Sequence, residues 1–540
     1  MSTPDYVVVG GGSAGCVLAA RLSEDPAVSV LLLEAGASEA GWLKMRMPLA
    51  WRDTFMEPAL SWGFKSEPQA HADGRVIPVP RGKVLGGTGS VNGMMYSRGV
   101  PADYDDWARG GLPGWSYANV LPYFKRAESN WRGANDWHGA TGPLTVARHQ
   151  PDRYFYPALI AAARELGFAE LEDFHGAQIE GFSTPDFTVH RGERASTVAR
   201  YLRPVMQRAN LKVITGAQAA RLLVSGGRVR GVDCVIDGAA QCFKCAREVL
   251  LAAGAISTPQ LLLLSGIGAP RQLEAHGVPV VHPLPGVGCN LQDHQSLGVM
   301  FRARDPVSFD AQLRADRLAW SLLRWLLFRS GPVAGLPVAA QGFVRTAEGL
   351  DRPDLQMLVS PVSMAARPWF PLWRAGAGHV LSIACVLAHP ASRGQVTLRS
   401  ADPRDPPRVQ LGLLEASADR AAFRRFVRFV RQYFATPAAR ALVASELLPG
   451  SALSSDAEID AYVRRNVGTA MHPTSTCAMG VDADAVVDGQ LKVHGLEGLR
   501  IVDASVMPTI IGGNTNAPVI MIAEKAADLI RGRPALEAGT

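Results

Sequence analysis

Two segments near the end of this 540-residue chain carry side chains that can do chemistry: Met471-His-Pro-Thr-Ser-Thr-Cys-Ala-Met-Gly480 and Gly512-Gly-Asn-Thr-Asn-Ala-Pro518. An imidazole with an ordinary pKa near 6.5 accepts a proton at neutral pH. A primary amide hydrogen-bonds an oxygen without competing for that proton. A histidine before a proline is, taken alone, more often a packed loop residue than a base. The two segments therefore need context from the elements that would position them.

The first such element is at the opposite end of the chain. A short apolar run, Tyr6 to Val9, feeds the turn Gly10-Gly11-Gly12-Ser13-Ala14-Gly15, then a helical pattern, then a second apolar run, Val28 to Leu33, ending at Glu34. This strand–turn–helix–strand context marks a dinucleotide site. Gly10 permits the tight turn, Gly12 lets the backbone approach a pyrophosphate, and Gly15 lets the helix pack close to the strand. The helix start at Ser13 and Ala14 offers N–H groups and partial positive charge to phosphates. Glu34 and the adjoining Ala35 end the second strand, where a carboxylate can accept from a ribose diol.

Between these ends the pattern alternates. Arg81-Gly-Lys-Val-Leu-Gly-Gly-Thr-Gly-Ser-Val-Asn-Gly93 is rich enough in glycine to lie flush against a flat ligand. Residues 156–168 read as an amphipathic helix. Leu211 to Leu251 reads as strands with turns at Gly226-Gly227 and Asp237-Gly238, and Ser257 to Leu264 as a helix beyond a small-residue turn. Residues 419–434 place Phe423, Phe426, Val427, Val430 and Phe434 on one helical face. Leu318 to Phe328 is strongly apolar; it could meet a membrane, a lipophilic acceptor or a partner subunit, but a buried core helix is the commoner explanation. Gly498 to Asp503 reads as a strand and Pro518 to Ile530 as a helix. The expected fold class is α/β (α+β overall): a discontinuous Rossmann-like nucleotide domain over 1–155, 190–300 and 465–540. A second, substrate-binding domain of antiparallel sheet and helices takes 156–189 and 301–464.

Composition narrows the partners. The formal net charge of +6 is modest for this length and its Lys and Arg are scattered, which argues against nucleic acid. The first strand starts about five residues in, there is no run of about 18 uncharged apolar residues, and seven cysteines are irregularly spaced. These point to a cytoplasmic protein with reduced thiols, in which membrane association is at most weak. The spacing Cys242-Phe-Lys-Cys245 has no second pair to complete a metal site, and no metal is expected.

Five segments in order resemble the glucose–methanol–choline (GMC) family of FAD-dependent oxidoreductases: GGGSAG, RGKVLGGTGSVNG, AAGAISTPQLLLLSGIG with GVGCNLQDH behind it, HPTSTCAMG, and VDASVMPTIIGGNTNAPVIMIAEKAADLI. They span residues 5 to 531. The resemblance implies extended FAD with its flavin between two domains. It also implies oxidation of a primary alcohol (aliphatic, aryl or choline-like) by proton abstraction and hydride transfer to flavin N5, with electrons passing to a quinone-type acceptor or O2. The base is expected at His472 and its amide partner at Asn516. The resemblance further places FAD against Arg81, Val84, Gly87, Ser90, Asn92, Gly93, Met94, Ala219, Ala253, Gly254, Asp503, Ala504, Asn516 and Ala517, besides the first fingerprint. Asp293 and His294 are expected to brace a loop.

The chain departs from the family at three places. Val91 stands where some relatives attach FAD through histidine, so FAD is expected to be noncovalent. Ser475 replaces a usual glycine, and Ala470 stands where certain oxidases have valine two residues before the base. The alternative within the same family is a hydroxynitrile lyase in which FAD takes no redox part. The fingerprint alone would also admit an NAD-linked dehydrogenase.

Overall fold

The computed structural model describes residues 3–537. Tyr6–Val9, Val30–Leu33, Leu211–Ile214, Glu248–Leu251 and Leu499–Ile501 form one parallel sheet, with Tyr6–Val9 paired between Val30–Leu33 and Glu248–Leu251. The two strands nearest the turn, Tyr6–Val9 and Val30–Leu33, are continuous apolar runs buried throughout, because both faces are covered. On one face, helix Ser13–Leu22 packs against the C-terminal helix Asn516–Arg531. Arg21 Nε donates to both oxygens of the buried Glu524 at 3.1 and 3.0 Å, tying the two ends of the chain together.

Gln218–Ser225, Arg228–Ile236 and Ala239–Lys244 form an antiparallel meander beside this sheet. Its two turns fall at Gly226-Gly227 and Asp237-Gly238, all four with positive φ.

A second sheet of seven strands is antiparallel, in the order Val443–Leu448, Gln295–Ala303, Val380–Leu387, Leu355–Ser360, Ala340–Val344, Gly181–Ser183, with Gly468–Thr469 also on Gln295–Ala303. Helices Phe155–Glu165 and Ser417–Ala435 cover it. The latter buries Phe423, Phe426, Val427, Val430 and Phe434. Gln295–Ala303 spans residue 300, and Gly468–Thr469 leads directly from this sheet into the His472 loop.

One expectation fails. Helix Ala315–Phe328 is not a core helix: it buries only Ser321 and Trp325, and Trp320, Leu323, Leu326, Leu327 and Phe328 are exposed. The apolar run over 318–328 has the same composition on the surface as in a core, so hydropathy alone could not separate the two. Among the described residues, no helix is long and apolar enough to cross a membrane.

Candidate active site

A single cavity of about 1160 Å³ runs from the glycine turn of the parallel sheet to the inner face of the antiparallel one. At the first end the glycines divide by role. Gly10 has φ +103°, and a Cβ there would sit 2.5 Å from Ala252 O. A Cβ on Gly15 would lie 1.9 Å from Gly10 O, so this glycine lets the helix meet the strand. Gly12 is different: its φ is an ordinary −72° and a Cβ would meet only Ala252 O at 3.7 Å. No protein atom forbids a side chain at Gly12; what needs the space is the cavity it lines.

Two helix N-termini, at Ser13 and Asn516, converge on that wall, and Ser13 Oγ donates to Asn516 Oδ1 at 2.7 Å. Glu34 is buried beneath the turn and accepts from the Gly11 and Gly36 amides at 2.8 and 2.7 Å. Burial pushes its carboxyl up to about 7, against those two hydrogen bonds. A bare glycine surface, two convergent helix starts and a strand-end carboxylate fit the ADP half of a dinucleotide. Gly10, Gly12, Ser13, Ala14, Glu34 and Ala35 line this end with Ala219, Ala253, Gly254, Asp503 and Ala504, while Arg81, Gly87, Asn92, Gly93, Met94 and Asn516 continue the wall.

Four of the expected residues do not reach the cavity. Gly15 packs on Gly10. Val84 sits in a small apolar cluster with Val91, and Ala517 in the main core. Ser90 Oγ donates to Leu85 O at 2.9 Å, holding the glycine loop. Asp503 lines the wall, but its carboxylate is committed to protein donors: Gly254 N at 2.8 Å, Thr258 Oγ1 at 2.6 Å and Ser505 N at 2.8 Å.

At the other end, four separated segments meet around His472. Asp293 accepts from the His472 amide at 2.7 Å and from Thr469 Oγ1, and Arg81 donates to Met471 O at 2.7 Å. These contacts hold a loop with two left-handed non-glycine residues, Met471 at φ +68° and Ser475 at φ +72°. Asp293 thus braces the loop as expected.

His294 does more than brace. Its Nε2 lies 2.9 Å from Ala388 O and 3.0 Å from Ile511 O, and carbonyl oxygens only accept, so Nε2 carries the proton. Burial, then the neighbouring His389, pushes its pKa down to about 4, so the ring is neutral and Nδ1 is an acceptor. His472 Nδ1, 2.9 Å away, must therefore be the donor of that pair. Burial first, then the His294 ring and the Arg81 charge, hold the His472 pKa well below its ordinary value. A neutral ring protonated at Nδ1 leaves Nε2 as a bare acceptor facing the cavity.

The amide that meets Nε2 belongs to Asn514, at 3.1 Å, and not to Asn516. Gln356 Nε2 donates to Asn514 Oδ1 at 3.2 Å, which turns the Asn514 NH2 group toward His472. Asn516 is two residues further on, inside the helix and bonded to Ser13. In the turn entering the helix, residues two apart point to different walls, and the spacing N-x-N gave no sign of which faces the histidine. His294, expected only to brace a loop, also sets the tautomer of His472, and Gln356 is unmarked by anything in its local sequence.

Family models described as GMC oxidoreductase match residues 4–296 and 390–523. The chain belongs to the GMC oxidoreductase family. As a member it is an FAD-dependent oxidoreductase of alcohols. This GMC oxidoreductase is similar to mitochondrial choline dehydrogenase of Mus musculus, 43% identical over 98% of this chain and 90% of that one. It is also similar to the oxygen-dependent choline dehydrogenase of Brucella anthropi, 40% identical over 98% and 96%. Among solved structures, pyridoxine 4-oxidase from Mesorbium loti superposes with a TM-score of 0.88 at 31% identity, covering 98% of this chain and 100% of that one.

Proposed function

We propose that this GMC oxidoreductase oxidises an uncharged, apolar primary alcohol to its aldehyde, with His472 as the base and Asn514 as the amide that orients the substrate oxygen. The observation that carries this reading is the pairing of a bare His472 Nε2 with the Asn514 NH2 group at 3.1 Å on the cavity wall. A hydroxyl that takes the place of their mutual hydrogen bond, within reach of both, gives its proton to Nε2 and accepts from the amide, which holds the developing alkoxide without taking its proton. Bound FAD supplies the two-electron acceptor for the α-hydrogen. The Asn516 helix start faces the same cavity and favours negative charge there.

The substrate side is apolar, with Phe309, Leu318, Leu322, Val338, Leu358 and Val362 among its lining residues. Among the described residues, the carboxylates lining the cavity are Glu34, Asp503 and Asp53. The first two are engaged by backbone amides, and Asp53 is exposed on the short helix Trp51–Phe55, beside Arg52. Arg52 and Arg367 line the same cavity and repel each other's charge. A quaternary ammonium would meet the charge of those two arginines and, in place of a free buried carboxylate, only the rings of Trp51, Phe55, Trp62, Phe309 and Tyr462 spread along the wall. Choline is the second reading, favoured by the names of the similar dehydrogenases. Anaerobic mixing with 1-octanol, benzyl alcohol and choline separates the two: the apolar alcohols bleach the flavin and choline does not. Flavin that stays oxidised with every alcohol would point instead to the lyase alternative.

The same reading includes FAD held noncovalently, since Val91 is a buried aliphatic residue packed with Val84. A quinone-type acceptor in preference to O2 and a cytoplasmic location complete it, the latter consistent with seven free cysteines. The FAD-binding part takes 1–155, 190–300 and 465–540, and the substrate part takes 156–189 and 301–464.

A further inference from the structure

Apolar exposure on this molecule is concentrated in one place. Among the described residues, twenty large apolar side chains are exposed, and ten of them fall in 307–328 and 364–373. They include Trp320 at 70%, Phe328 at 73%, Leu372 at 110% and Trp373 at 65% exposure. The two stretches adjoin: Ala315 N donates to Trp369 O at 2.8 Å and Trp369 N to Leu313 O at 3.1 Å. Isolated surface apolar residues need no explanation, but a cluster of this kind does.

Three further observations identify what covers it. First, the charge around it is cationic. Residues 306–331 and 364–378 contain six arginines, two aspartates and neither lysine nor glutamate. Asp310 is buried, and Asp316 is paired with Arg314. Secondly, the exposed residues are of the interfacial kind. Trp320, Leu323, Leu327 and Phe328 share the outer side of helix Ala315–Phe328, with Arg317 and Arg324 on its flanks, and Arg374 stacks over Trp373 at 5.3 Å. Tryptophan, leucine and arginine on a helix too short to span are the composition of an element lying in a headgroup layer. Thirdly, the same elements wall the cavity. Leu318 and Leu322 line the cavity from the other side of this helix, and Met364, Arg367 and Pro368 line it from the second stretch. Trp325 anchors the helix on Met47 and Val333, so its outer face is held outward by packing.

We infer that helix Ala315–Phe328 and the 364–374 segment seat the enzyme on an anionic lipid surface, with the cavity opening into the lipid side of the seat. An apolar alcohol dissolved in the bilayer would then enter without crossing water. The inference rests on the cavity being the catalytic one, but its test does not depend on turnover.

Full-length holoenzyme is floated with vesicles of phosphatidylcholine alone and with vesicles carrying roughly 30% phosphatidylglycerol. The wild type floats with the anionic vesicles and much less with the neutral ones. Trp320→Glu combined with Leu327→Glu lowers the bound fraction by about tenfold or more. Arg317→Gln and Arg324→Gln each weaken binding to anionic vesicles by about fivefold. None of these four residues lines the cavity, so FAD content and turnover of a short water-soluble alcohol stay unchanged. Should the charged double variant lose FAD, Trp320→Phe with brominated lipids replaces it: the wild type shows fluorescence quenching that this variant loses in large part. The inference is overturned if the wild type floats with neither vesicle, or if the folded double variant floats as well as the wild type. It is also overturned if the wild type is a dimer that the double variant splits, since the face is then an interface between copies.

Discussion

The two ends of the cavity are built on different principles. The nucleotide end is mostly backbone: the glycine turn 10–15, the first helix start and one carboxylate lie within thirty residues of sequence, with the Asn516 helix start joining them from the far end of the chain. The reaction end is side chains. His294, Gln356, His472 and Asn514 come from four separate segments, Gln356 from a strand of the antiparallel sheet and the other three from loops, and hydrogen bonds link them in a relay. A backbone site tolerates change around it as long as the turn survives. A relay of side chains fails at any member, and it fails in rate before it fails in stability.

That contrast can be tested, beginning with the largest effect. His472→Ala should retain FAD and lose about a thousandfold in the rate of anaerobic flavin reduction, as removal of a general base requires. A reduction rate near wild type would take His472 out of the reaction. Asn514→Ala should lower kcat/KM by about a hundredfold, the cost of one preorganised donor to a developing oxyanion. Asn516→Ala, by contrast, should loosen FAD while the loaded enzyme reduces within about threefold of wild type. The reverse ranking would restore Asn516 as the partner of the base.

At the backbone end the informative pair is Gly15→Ala and Gly12→Ala. The first forces a Cβ onto Gly10 O and should cost about 3 kcal/mol in the melting of the apoprotein. The second should leave apoprotein melting unchanged and weaken FAD binding by about tenfold or more, because only the ligand needs that space. Apoprotein destabilised by Gly12→Ala would mean that the glycine serves the fold.

The smallest effect concerns pH. Because His472 is held below its ordinary pKa, it stays neutral as pH falls past 6.5, so kcat/KM should remain on its plateau below that value. His294→Gln offers an amide oxygen to Nδ1 but removes one of the causes of the lowered pKa. Its acid limb should move to higher pH, with roughly a tenfold loss on the plateau. An unmoved limb would reduce His294 to a packing residue.

The difference between the ends also explains what was legible in the sequence. The fingerprint, the strand order around it and the C-terminal helix followed from local spacing, because a βαβ turn encodes its ligand site in consecutive residues. His472 was found through the family pattern. Its amide partner, expected at Asn516, stands at Asn514, because the turn into the helix sends amides two residues apart to different partners, His472 and Ser13, a fact of backbone path and not of composition. The part His294 plays beyond bracing, and Gln356 altogether, become visible only when the fold brings residues 178 and 158 positions apart into contact with the loop residues they serve. The 315–328 helix was placed inside because apolar content says how much surface needs covering, but not by what.

The left-handed serine in the base-bearing loop has one more consequence. At φ +72° a Cβ costs about 1 kcal/mol that a glycine would not pay. Ser475→Gly relieves that cost, yet glycine also widens the unfolded ensemble, so the two contributions oppose each other. Thermal tolerance at this position should therefore respond weakly to either residue. The loop can drift between serine and glycine across lineages without a visible penalty, leaving the choice to whatever the neighbouring Thr474 hydroxyl, 3.0 Å from the serine Oγ, requires.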